Sequence, residues 1–136
     1  MSGKVDMAAI ARRDSFCVGL GIELVEVSSG RATTRVKVEP HHLNFTGVCH
    51  GGLTFTLADA AFGFVCNSHG VAAAGIDVHM VYNRAVGVGE VLTATATELS
   101  RATRIATYRI DVARGDGKLV AAMTGTAFIS GKPLES

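Results

Sequence analysis

Nine residues, Asn44-Phe45-Thr46-Gly47-Val48-Cys49-His50-Gly51-Gly52, lead into an almost wholly apolar run, Leu53 to Cys66, that carries one carboxylate, Asp59. A Gly-Gly pair opening a helix leaves backbone N–H groups approachable. Helix starts carry unpaired donors and a partial positive charge. That suits a carbonyl oxygen on its way to becoming an oxyanion. A lone acid inside a buried helix is costly unless it is paired or has a task. Together, the Gly52 N–H and Asp59 suggest an electrophile-plus-base site for acyl transfer.

Their spacing adds a constraint. Gly52 and Asp59 are seven residues apart, so they share a helix face, but their axial separation is about 10 Å at 1.5 Å per residue. A carbonyl held at the Gly52 N–H therefore cannot also lie about 3 Å from Asp59 of the same chain. If both serve one reaction they come from two chains. The expectation is a symmetric homo-oligomer, at least a dimer, with composite sites.

The elements that must position these residues follow from hydrophobic periodicity. Alternation of apolar and polar residues predicts strands over 22–27 and 31–38, joined by a turn at Ser28-Ser29-Gly30. Pro40 ends the second strand, and 41–50 reads as loop. A helix is predicted over 51–68, with His69-Gly70 closing it and Gly70 as its cap. Four further strands are predicted over 74–82, 90–99, 104–114 and 118–129, with turns at Gly87-Val88-Gly89 and Gly115-Asp116-Gly117. A short helix is expected over 5–13. One long helix on one face of a largely antiparallel sheet is an α+β layer, and residues 1–136 read as one domain. Leu53, Leu57, Ala60 and Phe64 form the stripe expected to face the sheet. Asp59 falls on another side with Gly52, Thr56 and Gly63, flanked in projection by Phe55 and Phe62. That side is also apolar or small, so the helix is expected to be covered all round, by a curled sheet or a second subunit.

Composition removes several classes. The chain is 48% apolar and 18% charged with a net charge of +1, which excludes a disordered chain and gives no basic field for nucleic acid. Cys17, Cys49 and Cys66 form no CxxC pair, and the first fourteen residues lack the apolar block of a secretion signal, so a cytoplasmic protein with reduced thiols is expected. The longest apolar stretch contains Asp59 and falls short of the roughly twenty residues of a membrane span, so no membrane role is expected. His41, His42, Cys49, His50 and His69 have no structural-zinc spacing, so neither metal nor cofactor is expected.

The pattern Asn44-x-x-Gly47-x-x-His50-Gly51-Gly52 followed by Leu57-Ala58-Asp59 resembles the hotdog-fold acyl-CoA thioesterases. Cys49-His50-Gly51-Gly52, Leu57-Ala58-Asp59-x-Ala61-Phe62 and Cys66-Asn67-Ser68 are most like the phenylacetate-degradation branch, PaaI. The resemblance implies an antiparallel sheet wrapped around one long central helix. It implies hydrolysis of a small aromatic acyl-CoA, with Asp59 acting from the neighbouring subunit. Asn44 and the Gly52 N–H would handle the thioester and the attacking water, and His50 would orient the loop or polarise the carbonyl. It also implies dimers that pair into tetramers and no metal. Two departures stand out. Relatives often carry Ser or Thr where this chain has Gly75, and the strand end Tyr82-Asn83-Arg84-Ala85 lacks a proline often found there.

Each residue has a plainer role to weigh. Asn44 could hold an Asx turn, His50 could brace the loop, and Gly51-Gly52 could serve close packing. Phe45, Phe55 and Phe62 could wall an apolar acyl pocket or belong to the core. Arg84 and Arg104 could meet coenzyme A phosphates or sit in solvent. Two other functions compete: a hydratase or dehydratase using His50 with Asp59, and a non-catalytic acyl-CoA binding module, which has no use for an acid at the thioester.

Overall fold

Runs of alternating small apolar residues and threonines lay down the sheet. The computed structural model describes residues 5–135. Its strands are β1 (Glu23–Ser28), β2 (Arg31–Lys37), β3 (Val71–Tyr82), β4 (Val91–Arg101), β5 (Ile105–Arg114) and β6 (Leu119–Pro133). They form one sheet in the order β1-β2-β4-β5-β6-β3, and all five pairings are antiparallel. The α+β layer read from periodicity is the architecture found.

Three α-helices accompany the described strands: α1 (Met7–Arg13), α2 (Ser15–Leu20) and α3 (Gly51–Cys66). Helix α3 connects β2 to β3 across the inner face and packs against β2, β3, β4 and β5. It lies close because the sheet beneath it is paved with small residues: Ala94, Ala96, Ala106, Ala121 and Ala127 are all buried to within 1%. Leu57, Ala58, Ala61, Phe62 and Val65 of α3 press into that floor. Each large side chain so buried contributes about 1.5–3 kcal/mol relative to exposure.

The structure amends the sequence reading at the end of this helix and before β1. The helix ends at Cys66 and is capped by Asn67, not by Gly70. The Asn67 side chain donates to Gly63 O at 2.8 Å and accepts the Ala73 N–H at 2.9 Å, which ties the helix end to β3. Gly70, at φ +79°, turns the chain after that. Second, α2 was not anticipated. It is six residues long and is set by its ends, with the Asp14 carboxylate accepting the Cys17 N–H and Gly21 closing it in the left-handed region. Within the single chain, one side of α3 is left open, where the expectation is cover by a curled sheet or a second subunit. Ten of its sixteen residues are buried, while Gly52, Asp59 and Gly63 are not. Helices α1 and α2 flank that outer side, and an opening remains over Asp59.

Phe62 departs from its projected position beside Asp59. It is 1% exposed and points into the sheet, its ring 5.6 Å from that of Tyr108. Helical projection finds the inside of a helix by contrast with a polar face, and α3 offers almost none. The Phe62 ring also accounts for Gly75. A Cβ at Gly75 would lie 2.6 Å from Phe62 Cε2, and one at Gly125 would lie 2.9 Å from Phe62 Cζ. The ring fills the space a side chain at 75 would need. Gly75→Ser is therefore expected to lower stability by about 1–3 kcal/mol, the usual range for overpacking a core. A urea titration at constant m-value reads this, and an unchanged midpoint would mean that Phe62 yields freely.

Candidate active site

The loop before α3 is built by local hydrogen bonds. Asn44 Oδ1 accepts the Thr46 N–H at 2.9 Å, the Thr46 hydroxyl at 2.7 Å and the Val48 N–H at 3.3 Å. The Asx turn is thus real, and it occupies only the side-chain oxygen. The amide Nδ2 makes no hydrogen bond among the described residues. Leu43 bridges Cys49, so Asn44 to Val48 is a short, closed excursion with Phe45 fully exposed at its tip. Beneath it, His42 is 4% exposed and links Leu20 O and the Glu39 N–H through its two ring nitrogens, fastening the loop to α2.

His50 is the N-cap of α3, and its Nδ1 accepts the Gly52 N–H at 2.8 Å. The helix-start donor expected to be bare is therefore occupied in the single chain. An accepting Nδ1 places the ring proton on Nε2, so His50 presents an N–H of its own. A Cβ at Gly52 would lie 2.9 Å from His50 Nδ1 and would force that ring to shift. At Gly51 a Cβ would lie 3.3 Å from the Tyr82 ring, whose hydroxyl donates to Gly51 O at 3.2 Å.

Two hollows run along the outer side of α3. One, of about 450 Å³, is lined by Met7, Ile10, Asp14, Phe16, Phe55 and Asp59, among others. The other, of about 320 Å³, takes in His41, His42, His50 and Gly52. They share Phe16 and Thr56, and Thr56 Oγ1 donates back to Gly52 O at 2.7 Å. Within one chain, the Asp59 carboxylate and the His50–Gly52 corner therefore lie in separate hollows, as the helix rise requires.

Asp59 accepts no hydrogen bond among the described residues. Its side chain reaches water in the single protomer, yet the apolar walls still act on it. Burial pushes its carboxyl above the ordinary range, and the charge of Asp14 adds to the shift. Burial likewise lifts the neighbouring Cys17 thiol to about 12, reinforced by its hydrogen bond to Asp14, so Cys17 is no nucleophile. Asp14 and Phe16 were missed in the sequence. The signal for them was the helix-capping Asp14 three residues before Cys17.

The remaining candidates divide. Phe55 and Thr56 line the Asp59 hollow, and Phe62 and Gly75 do not. Arg84 borders a third hollow with Gly51, Tyr82 and Cys49. Arg104 donates through Nη1 to the carbonyls of Ile129 and Ser130 at 3.3 and 3.0 Å. Among the described residues no three His, Cys, Asp or Glu side chains converge as metal ligands, and no helix is long and apolar enough to cross a membrane.

This arrangement has relatives. Residues 46–121 match the model of the thioesterase superfamily. The acyl-coenzyme A thioesterase PaaI of Escherichia coli K12 is 33% identical over 117 residues, covering 86% of this chain and 84% of that protein. The structure of E. coli PaaI, from the phenylacetic acid degradation operon, superposes with a TM-score of 0.90 at 31% identity over 93% of this chain and 92% of that one. A variant of the phenylacetic acid degradation protein PaaI from Thermus thermophilus gives 0.81 at 38% identity, covering 85% and 98%. A hypothetical thioesterase protein of Streptococcus pneumoniae, solved with coenzyme A, gives 0.78 at 26% identity, covering 83% and 91%. The sheet order, the single long helix and these matches agree: the chain belongs to the thioesterase superfamily and is a hotdog-fold thioester hydrolase.

Proposed function

We propose that this chain hydrolyses a small aromatic acyl-CoA thioester to the free acid and coenzyme A, in a cytoplasmic setting, from sites built by two copies of the chain. The observation that carries this reading is Asp59: a carboxylate without a hydrogen-bond partner among the described residues, opening onto a hollow of about 450 Å³ whose walls include Phe16, Phe55 and Phe64. That volume falls within the range of roughly 300–1,000 Å³ common for small-ligand sites. Phe55 stands in for the wall expected from Phe55 and Phe62 together, with Phe16 taking the second place.

In the proposed reaction the thioester carbonyl sits at the amino end of α3 of one subunit. There His50 offers its Nε2–H, with the Gly52 amide behind it, and Asn44 offers its Nδ2–H. The partner subunit's Asp59 takes a proton from water as the water oxygen adds to the carbonyl carbon. The tetrahedral intermediate collapses, the C–S bond breaks, and coenzyme A leaves as the thiolate and is reprotonated. Direct attack by Asp59, giving an anhydride that water then opens, needs the same ionised carboxylate. Arg84, beside Gly51, is placed to meet a coenzyme A phosphate. The relatives' names and the coenzyme A held by the pneumococcal thioesterase support the substrate class.

The long edge strand β3 supports the assembly. Val71–Tyr82 is paired on one side only, by β6, and carries exposed Ile76, Val81 and Tyr82. An open strand of twelve residues is a template for pairing with a second copy, and two such dimers would make the tetramer.

The test is release of free thiol from phenylacetyl-, benzoyl-, acetyl- and palmitoyl-CoA on one preparation. The aryl substrates are expected to have the highest kcat/KM. Preference for palmitoyl-CoA by more than about tenfold, a gap of roughly 1.4 kcal/mol, would remove the aryl pocket. No thiol release from any of them would remove the activity itself.

A further inference from the structure

Phe45 has no contact that hides it: its relative exposure is 101%, the highest of the large apolar side chains. The segment beneath it is not loose. Asn44 N–H donates to Val48 O at 2.8 Å, Gly47 N–H donates to Asn44 O at 3.0 Å, and the Asn44 side chain holds Thr46 and Val48. Gly47, at φ +83°, allows the tight return. A ring is thus held out on a rigid tip one residue from Asn44. The residues just before that tip, His41, His42 and Leu43, line the hollow that contains His50 and Gly52.

Phe45 lines neither hollow of its own chain. On the outer side of α3 lies an open apolar hollow with an aromatic-rich wall, formed by Met7, Ile10, Phe16 and Phe55 around Asp59. A carbonyl at the amino end of α3 and an Asp59 in contact with it belong to different chains. The loop that leads into Gly52 therefore travels with the carbonyl site to the other subunit's carboxylate. Exposed aromatic and apolar hollow are complementary in the way an isologous pair requires. A polar or phosphorylated part of coenzyme A would leave the ring wet and the hollow open.

Resting on the composite site described above, the geometry points to Phe45 as a specificity-determining residue supplied across the dimer: its ring closes the hollow around the partner subunit's Asp59 and packs against the acyl group held there. Phe45 would then favour flat, apolar acyl groups by edge or face contact, and acetyl groups would gain nothing from it.

Two measurements test this. The chain contains no tryptophan and two tyrosines, so Phe45→Trp installs a single tryptophan, excited selectively at wavelengths the tyrosines do not absorb, at a position whose side chain the fold of the protomer does not need. In the associated protein without substrate, its emission is expected to be blue-shifted and shielded from acrylamide, and to become water-like on dilution to monomers. Water-like, freely quenched emission in the associated protein would overturn the placement, as would shielding that appears only when coenzyme A alone is added. The second measurement is the ratio of kcat/KM for phenylacetyl-CoA to that for acetyl-CoA in Phe45→Ala. It is expected to fall about tenfold, the scale on which one apolar contact discriminates. An unchanged ratio would overturn the specificity role. The fluorescence measurement needs no turnover, so a chain that failed to hydrolyse thioesters would be told apart from one in which Phe45 sits elsewhere.

Discussion

Asp59→Asn is expected to lower thioester turnover by at least about 10²-fold, the usual contribution of a positioned general base, while leaving the protein as stable as the parent or more so. The two effects share a cause. The amide keeps the size of the side chain and removes the charge that the apolar hollow disfavours. Burial first, and Asp14 second, raise the Asp59 carboxyl above its ordinary range. A carboxyl whose folded value is raised holds its proton more tightly when folded. Its ionisation therefore reduces stability as pH rises from the ordinary carboxylate range through the raised value. The parent should lose stability over that window and the Asn variant should not, so their thermal midpoints should coincide in acid and separate toward neutral pH. Activity runs the other way, since the reaction needs the ionised form and fades as pH falls through the same raised value. Asp14→Asn retains a side-chain oxygen to cap α2 and removes the like charge, so the acid limb of kcat should move to lower pH. Turnover by a homogeneous Asp59→Asn protein close to that of the parent would remove Asp59 from the chemistry.

How far such behaviour was legible in the amino-acid sequence varies with the kind of residue. Alternation in 31–38 and 104–114 marked strands because each has one apolar face on α3. The antiparallel layer followed from it, but the crossing of α3 that puts β3 at the far edge did not, since pattern carries no pairing. The carboxylate stood out because Asp59 is the one charge in an apolar helix. Its separation from Gly52 was readable from helix rise alone. Phe62 was misplaced because an almost wholly apolar helix has no polar side to orient it. The state of the Gly52 amide was also out of reach: whether His50 folds back onto it depends on a ring rotamer, not on spacing. Helix α2 escaped because its six residues hold no periodic stripe and depend on Asp14 and Gly21 at the ends. Arg104 has the charge to meet a phosphate, and what the sequence did not show is that its Nη1 donates to the carbonyls of Ile129 and Ser130.

The second large effect comes from mixing two inactive chains. Asn44→Asp keeps the side-chain oxygen that holds Thr46 and Val48, so the turn should survive. What it loses is the Nδ2–H that the proposed site offers to the thioester, and the negative charge it adds would oppose an oxyanion there. Alone, it should be nearly as inactive as Asp59→Asn. In a heterodimer of the two, one site collects both defects. The other combines the intact Asn44 and helix start of one chain with the intact Asp59 of its partner. Random exchange makes half the dimers heterodimers and half their sites whole, so a mixture should recover about a quarter of the parental activity per site, provided the sites act independently.

That mixture tests the composite site most directly. The two variants are unfolded together, refolded together and assayed for thiol release beside each variant refolded alone. Recovery toward a quarter of the parental rate is the expected result. A mixture no more active than its components, with heterodimers shown to be present, or a fully active monomer by sedimentation, would contradict a site shared between Asp59 of one chain and Asn44, His50 and Gly52 of the other.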